Sequence, residues 1–192
     1  MNMVASPQPK LSPSDYLAVD RAAEFRHEYV DGLLIAMSGG TGRHSLLIGA
    51  FSRLLGNALM GGQCAVSVTE LRLQVAQGVA YLFPDIMVIC GGFQYSDGPK
   101  DTVINPTVIV EVLSDSTERW DRAGKFAKYR LVPTLREYVL VSQDEMCIEW
   151  YTRRDGGEWI YRDATGPEAV CHLESLKIDL LLAEVYSQIE LA

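Results

Sequence analysis

Two carboxylates stand inside stretches that otherwise read as buried strands. In LFPDIMVIC, residues 82–90, every residue except Pro84 and Asp85 is a large apolar side chain or a cysteine, so one strand buried on both faces is expected. In NPTVIVEVL, residues 105–113, strand alternation puts Val108, Val110 and Val112 on one face and Ile109, Glu111 and Leu113 on the other. An unpaired buried charge is strongly unfavourable, so Asp85 and Glu111 each need a partner, a proton or an opening. Neighbouring strands could bring both to a magnesium-type ion, because hard divalent cations take oxygen ligands and keep waters for a substrate to displace. A buried arginine beside each carboxylate, or a strand end in solvent, would meet the same need.

Further candidates lie on either side of this pair. Asp121, Lys125 and Tyr129 recur every four residues on the segment after Glu111 and share one helical stripe. A lysine beside metal-bound carboxylates can orient or deprotonate a water and stabilise a pentacovalent phosphate. The same spacing also fits an ordinary surface pair between Asp121 and Lys125. Glu28 precedes a hairpin turn, and His44 opens a helix, where the positive end of the dipole disfavours its imidazolium. Either could serve the site from the N-terminal half, and either could be structural.

The elements needed to position these groups follow from the pattern. Residues 1–11 read as a flexible tail and 12–192 as a single domain. Ser12-Pro13-Ser14-Asp15 caps a short helix running to about Val19, and Asp31-Gly32 joins two strand-like runs as a hairpin. After SGGTG, apolar spacing from about Arg43 to Met60 predicts an amphipathic helix. Two strands around 64–75 and 79–90 and a polar loop lead to the Glu111 strand. Ser116 or Thr117 then caps a helix to about Leu131, stopped by Pro133. Further strands, a turn at Asp155-Gly156-Gly157 and a closing helix in LLLAEVYSQI complete an α/β (α+β) domain around a mixed sheet.

Composition narrows the chemistry. The 192 residues carry 17 basic and 25 acidic side chains, a net charge of −8, which argues against holding nucleic acid by bulk electrostatics alone. Glu118 to Arg130 is the exception, with five basic residues against two acidic ones. The N-terminus has no apolar leader-like core and no run approaches a membrane span, so a cytoplasmic protein that does not engage membranes is expected. Cys64, Cys90, Cys147 and Cys171 form no CxxC pair and are expected as reduced core thiols. SGGTGRHS lacks the lysine of a phosphate-binding loop, there is no GxSxG elbow, and the three histidines lack metal-ligand spacing, so no bound organic cofactor is expected. Trp120, Trp150 and Trp159 are expected to be packing residues.

The ordered set Pro84-Asp85, EVLSDST from Glu111, Asp121…Lys125…Tyr129 and LREYVLV at 135–141 resembles the PD-(D/E)xK nuclease superfamily. Within it, the set is similar to the bacterial Uma-two, restriction-endonuclease-like family. The resemblance extends back to HEYVDG and His44 and forward to LLAEVY, covering roughly residues 12–190. It implies a restriction-endonuclease-like core, a central mixed β-sheet flanked by helices, and a Mg2+- or Mn2+-dependent endonuclease hydrolysing phosphodiester bonds, with DNA expected as substrate. Carried over by position, Asp85 and Glu111 would bind the metal, Lys125 would be the catalytic lysine with Lys128 as its substitute, and Glu28 would be the N-terminal acid. His44, Asp121 and Tyr129 stand as accessory candidates. The superfamily's usual lysine position, two residues after Glu111, is Leu113 here; Val139 and Ser142 replace a tryptophan and an aspartate typical of relatives. A homodimer is compatible with the resemblance. The alternative is a catalytically inactive nuclease-fold protein acting as a dimeric interaction or nucleic-acid-binding module.

Overall fold

The computed structural model describes residues 10–37, 39–96 and 98–191. Most of the expected N-terminal tail therefore lies outside the described residues. Helix α1 (Pro13–Ala22) starts where expected, with Ser12 Oγ accepting the Asp15 N–H, and runs three residues further than the pattern predicts. Strands β1 (His27–Val30) and β2 (Leu33–Ala36) form the expected hairpin. Asp31 and Gly32 both adopt positive φ, 51° and 96°, which is why an Asp-Gly pair makes this two-residue turn. Helix α2 (Gly42–Ala58), capped by Thr41, buries Leu47, Ala50, Phe51 and Leu55.

The stretch 64–90 holds four strands rather than two: β3 (Cys64–Val68), β4 (Arg72–Val75), β5 (Ala80–Leu82) and β6 (Ile86–Cys90). The continuous strand expected over 82–90 is thus broken at Phe83-Pro84-Asp85. Proline cannot donate to a ladder, and the chain leaves one sheet here and enters another. The expected polar loop contains β7 (Thr102–Val103), followed by β8 (Val108–Val112). Strands β9 (Glu137–Val141), β10 (Cys147–Arg153), β11 (Trp159–Thr165), β12 (Val170–Leu173) and β13 (Ile178–Leu181) complete the set. The closing helix is only α4 (Leu182–Val185), because Leu180 and Leu181 are taken into the β12–β13 pairing.

The strands form a five-stranded sheet, β2-β1-β5-β4-β7, a six-stranded sheet, β11-β10-β9-β8-β6-β3, and the β12–β13 pair. Both larger sheets are mixed, with β4–β7 and β8–β9 parallel. This is the expected mixed α/β architecture with helices flanking the sheets. The alternation on β8 holds: Val108, Val110 and Val112 pack with α2 in one apolar cluster, while Ile109 and Leu113 belong to a second. Cys64 and Cys90 face each other across β3 and β6 as a disulfide, correcting the expectation of four free thiols; Cys147 and Cys171 are free and buried. Among the described residues no helix is long and apolar enough to cross a membrane.

Candidate active site

The break between β5 and β6 explains Asp85. The residue lies at the point where the chain passes between sheets, beside the end of β6 whose Ile86 pairs with Val110 of β8, and so it sits next to Glu111. Its Oδ2 accepts the Val112 N–H at 2.8 Å, and its own N–H points to Glu111 Oε2 at 3.4 Å. Asp85 is only partly buried, whereas Glu111 is enclosed. Glu28 comes in from β1 of the other sheet, where the Phe83 N–H donates to its Oε1 at 3.1 Å.

The segment after Glu111 differs from the expected regular helix. The Thr117 and Glu118 N–H groups bond to the Ser114 carbonyl, and a π-helix spans Trp120–Lys125 before α3 (Phe126–Tyr129). Neither Ser116 nor Thr117 supplies a side-chain cap. Tyr138 on β9 anchors the wide turn by donating to the Asp121 carbonyl at 2.9 Å. The Trp120 ring lies across Gly124, where a Cβ would fall 1.8 Å from it, so this turn requires a residue without a side chain. Wide π-turns occur frequently at functional sites, and this one directs Asp121 and Lys125 inward together.

Lys125 is buried, with Nζ 3.0 Å from Glu111 Oε1, 3.0 Å from Asp121 Oδ1 and 3.6 Å from Glu28 Oε1. It is not the solvated surface lysine that the spacing also allowed. Burial acts to lower its pKa, but the surrounding carboxylates, Glu111 first, outweigh burial and hold it charged. Burial pushes the Glu111 carboxyl well up; Lys125 opposes that shift, while Asp85 and Asp121 add to it. Tyr129 donates to Glu111 Oε1 at 2.6 Å, and burial with the nearby Glu111 keeps its phenol protonated. His44 Nε2 lies 3.2 Å from Asp85 Oδ2. That carboxylate raises the imidazole pKa, reversing the direction expected from the helix dipole alone. Lys128 is not part of this cluster: its Nζ pairs with Asp31 Oδ2 at 2.6 Å.

Glu28, His44, Asp85, Glu111, Asp121 and Lys125 line a cleft of about 580 Å³. Its lining also includes Gly40, Thr41, Arg43, Ser114, Trp120 and Gln143. Sequence reasoning did not select Thr41, Arg43 or Gln143, because they meet only in space. Thr41 Oγ1 donates to Gln143 Oε1, and Gln143 Nε2 bonds to the Leu113 carbonyl, tying the start of α2 to the strand that carries Glu111.

The donor set fits a hard cation. Three carboxylates, Glu28, Glu111 and Asp121, lie within 3.6 Å of the Lys125 ammonium, Asp85 stands beside Glu111, and Asp121 Oδ1 is buried without a hydrogen-bond partner of good geometry. Among the described residues no three acidic, histidine or cysteine side chains are already gathered as a metal cage.

Comparison with known proteins bears on family and fold. A family model described as “Putative restriction endonuclease”, Uma2, matches residues 13–183. The chain belongs to the Uma2 family. Two Synechocystis sp. proteins, both described as uncharacterized, are similar along nearly their whole length. One, slr1290, is 34% identical over 95% of this chain and 94% of its own, and the other, sll1609, is 31% identical over 92% and 99%. A crystal structure from Anabaena variabilis, described as “a putative nuclease belonging to DUF820”, superposes with a TM-score of 0.77 at 17% identity, covering 92% of this chain and 98% of that one. This last likeness establishes the fold. Membership of the Uma2 family supports a nuclease-like function.

Proposed function

We propose that the protein is a Mg2+- or Mn2+-dependent endonuclease that hydrolyses phosphodiester bonds of DNA at the cleft between the two sheets. The observation that carries this reading is the buried Lys125 ammonium, 3.0 Å from Glu111 at the wall of an open cleft that also holds Asp85. Burying a lysine is costly unless it is paired, and here the pairing draws it onto Glu111, one of the two carboxylates expected to bind metal. Leu113 in the superfamily's usual lysine position is therefore no obstacle, because Lys125 approaches the same carboxylate from the following helix.

Asp85 and Glu111 are the residues that would hold the ion, with Glu28 and Asp121 as outer carboxylates. Bound there, a divalent cation would polarise a phosphoryl oxygen and lower the pKa of a water. Lys125 stabilises the negative charge that develops on phosphorus oxygens and orients the attacking water. Tyr129 fixes the Glu111 carboxylate by its hydrogen bond, and His44 fixes Asp85. Arg43, which lines the cleft, would meet the phosphate backbone. The net negative charge of the chain limits nonspecific attachment, so binding depends on the ion and the cleft.

The test is cleavage of supercoiled and linear DNA with Mg2+, with Mn2+ and with chelator, comparing the native protein with Lys125→Ala and Asp85→Asn. Metal-dependent cleavage that falls at least about a hundredfold in both variants supports the proposal. Equal residual activity in all three preparations contradicts it and favours the inactive nuclease-fold alternative.

A further inference from the structure

The β1–β2 hairpin carries an apolar anomaly at its outer edge, apart from the acidic cluster. Strand β2, Leu-Leu-Ile-Ala, is the outermost strand of its sheet, and all four residues are exposed. Leu33 is 51% exposed, Leu34 37% and Ile35 36%, and Met37 next to them is 41% exposed. Natural edge strands usually carry charges, prolines or bulges that block further pairing; this one has none. From Leu33 to Gly42 there is no ionisable side chain, in a chain whose net charge is −8.

The free edge has a defined register. Val30 pairs with Leu33 and Glu28 with Ile35, and the Met37 N–H reaches the Arg26 carbonyl, so residues 33, 35 and 37 bond inward to β1. Antiparallel alternation then leaves the N–H and C=O groups of Leu34 and Ala36 facing outward.

We infer that this edge is the contact by which two copies of the chain associate, β2 against β2, around a two-fold axis at Ile35. A two-fold axis makes the strands antiparallel. A register centred on a residue, rather than between two, lets outward-facing groups meet outward-facing groups, and centring it on Ile35 engages both Leu34 and Ala36. With Ile35 opposite Ile35, Leu34 of each copy exchanges both backbone bonds with Ala36 of the other. The two five-stranded sheets become one continuous sheet. A two-fold contact sets the same short run against itself, so an edge charged with one sign would repel its copy, and the uncharged run removes that penalty. Residues 1–9 of the same chain are a poorer occupant, since Pro7 and Pro9 have no N–H to donate. Ile35, Ala36 and Met37 also line the cleft, so the second copy would add to the cleft wall.

The test does not depend on nuclease activity. Light scattering after size exclusion of the full chain is expected to give twice the 21.3 kDa monomer mass, falling by half in Leu34→Lys, an exposed position whose fold is checked by circular dichroism. The remaining free cysteines are buried, so Ile35→Cys introduces an accessible thiol, and it is expected to cross-link two copies under mild oxidation. Asp85→Asn, which tests the metal site, is expected to leave the mass unchanged. A monomeric wild type at about 100 µM, a level at which even a weak micromolar dimer would be populated, overturns the inference, as does a dimer that survives Leu34→Lys while Ile35→Cys fails to cross-link.

Discussion

Lys125 Nζ lies 3.0 Å from Glu111 Oε1 although neither side chain has appreciable contact with solvent. The pair is held by the π-turn on one side and by β8 on the other. Asp121 and Glu28 share the same ammonium, so the lysine neutralises a group rather than a single partner.

Removing that ammonium should destabilise the fold as well as the chemistry. Lys125→Met is expected to cost about 3–5 kcal/mol in urea unfolding, because the carboxylates around it lose their compensation. The double variant Lys125→Met with Glu111→Gln should recover part of that loss. A single variant within about 0.5 kcal/mol of the native protein, the range of ordinary surface substitutions, would mean that the cluster is protonated or hydrated in solution.

The Trp120–Gly124 contact predicts a local steric effect. In Gly124→Ala the new methyl would collide with the indole unless the ring swings away. We expect a loss of about 1–3 kcal/mol, typical of overpacking, together with changed tryptophan fluorescence. Trp120→Ala in the same background should relieve the clash, and unchanged stability in Gly124→Ala would show that the ring does not lie over the glycine.

Asp101 predicts a pH effect outside the cleft. Arg21, whose Nε is 2.8 Å away, is the main cause holding its carboxyl at about 2 rather than 3.8. A depressed folded pKa contributes stability that is fully present above the unfolded value and is lost as pH falls from about 4 towards 2. Asp101 is about a third exposed, so solvent screening keeps the contribution to about 1 kcal/mol or less. The stability difference between native protein and Asp101→Asn, followed by denaturant titration, should therefore shrink between pH 4 and pH 2. A difference that does not vary with pH would exclude the ion pair in solution.

The features legible in the sequence were those set by local pattern: the Asp-Gly hairpin, the helix cap at Ser12, the alternation on β8 and the misfit of Asp85 and Glu111. Features decided by distant contacts were not legible. The long apolar run around Asp85 reads as one strand because periodicity does not register a change of sheet, and the proline beside it was the only local sign of the break. The helix dipole gave the wrong direction for His44, because Asp85 lies 41 positions away in sequence. The Cys64–Cys90 bond depends on the β3–β6 register, which a sequence separation of 26 does not reveal. Leu180 and Leu181 fit a helical pattern, but the partner strand β12 claimed them. The π-turn also left little trace, with Gly124 in mid-helix as its one signal.

The central claim is that the acidic cluster at Asp85 and Glu111 is a divalent-cation site. Calorimetric titration of Mn2+ into the native protein and into Asp85→Asn, without nucleic acid, tests it most directly. Saturable binding to the native protein that is lost in Asp85→Asn is the predicted result. Indistinguishable titrations of the two proteins, or no binding to either at millimolar metal and neutral pH, would contradict it.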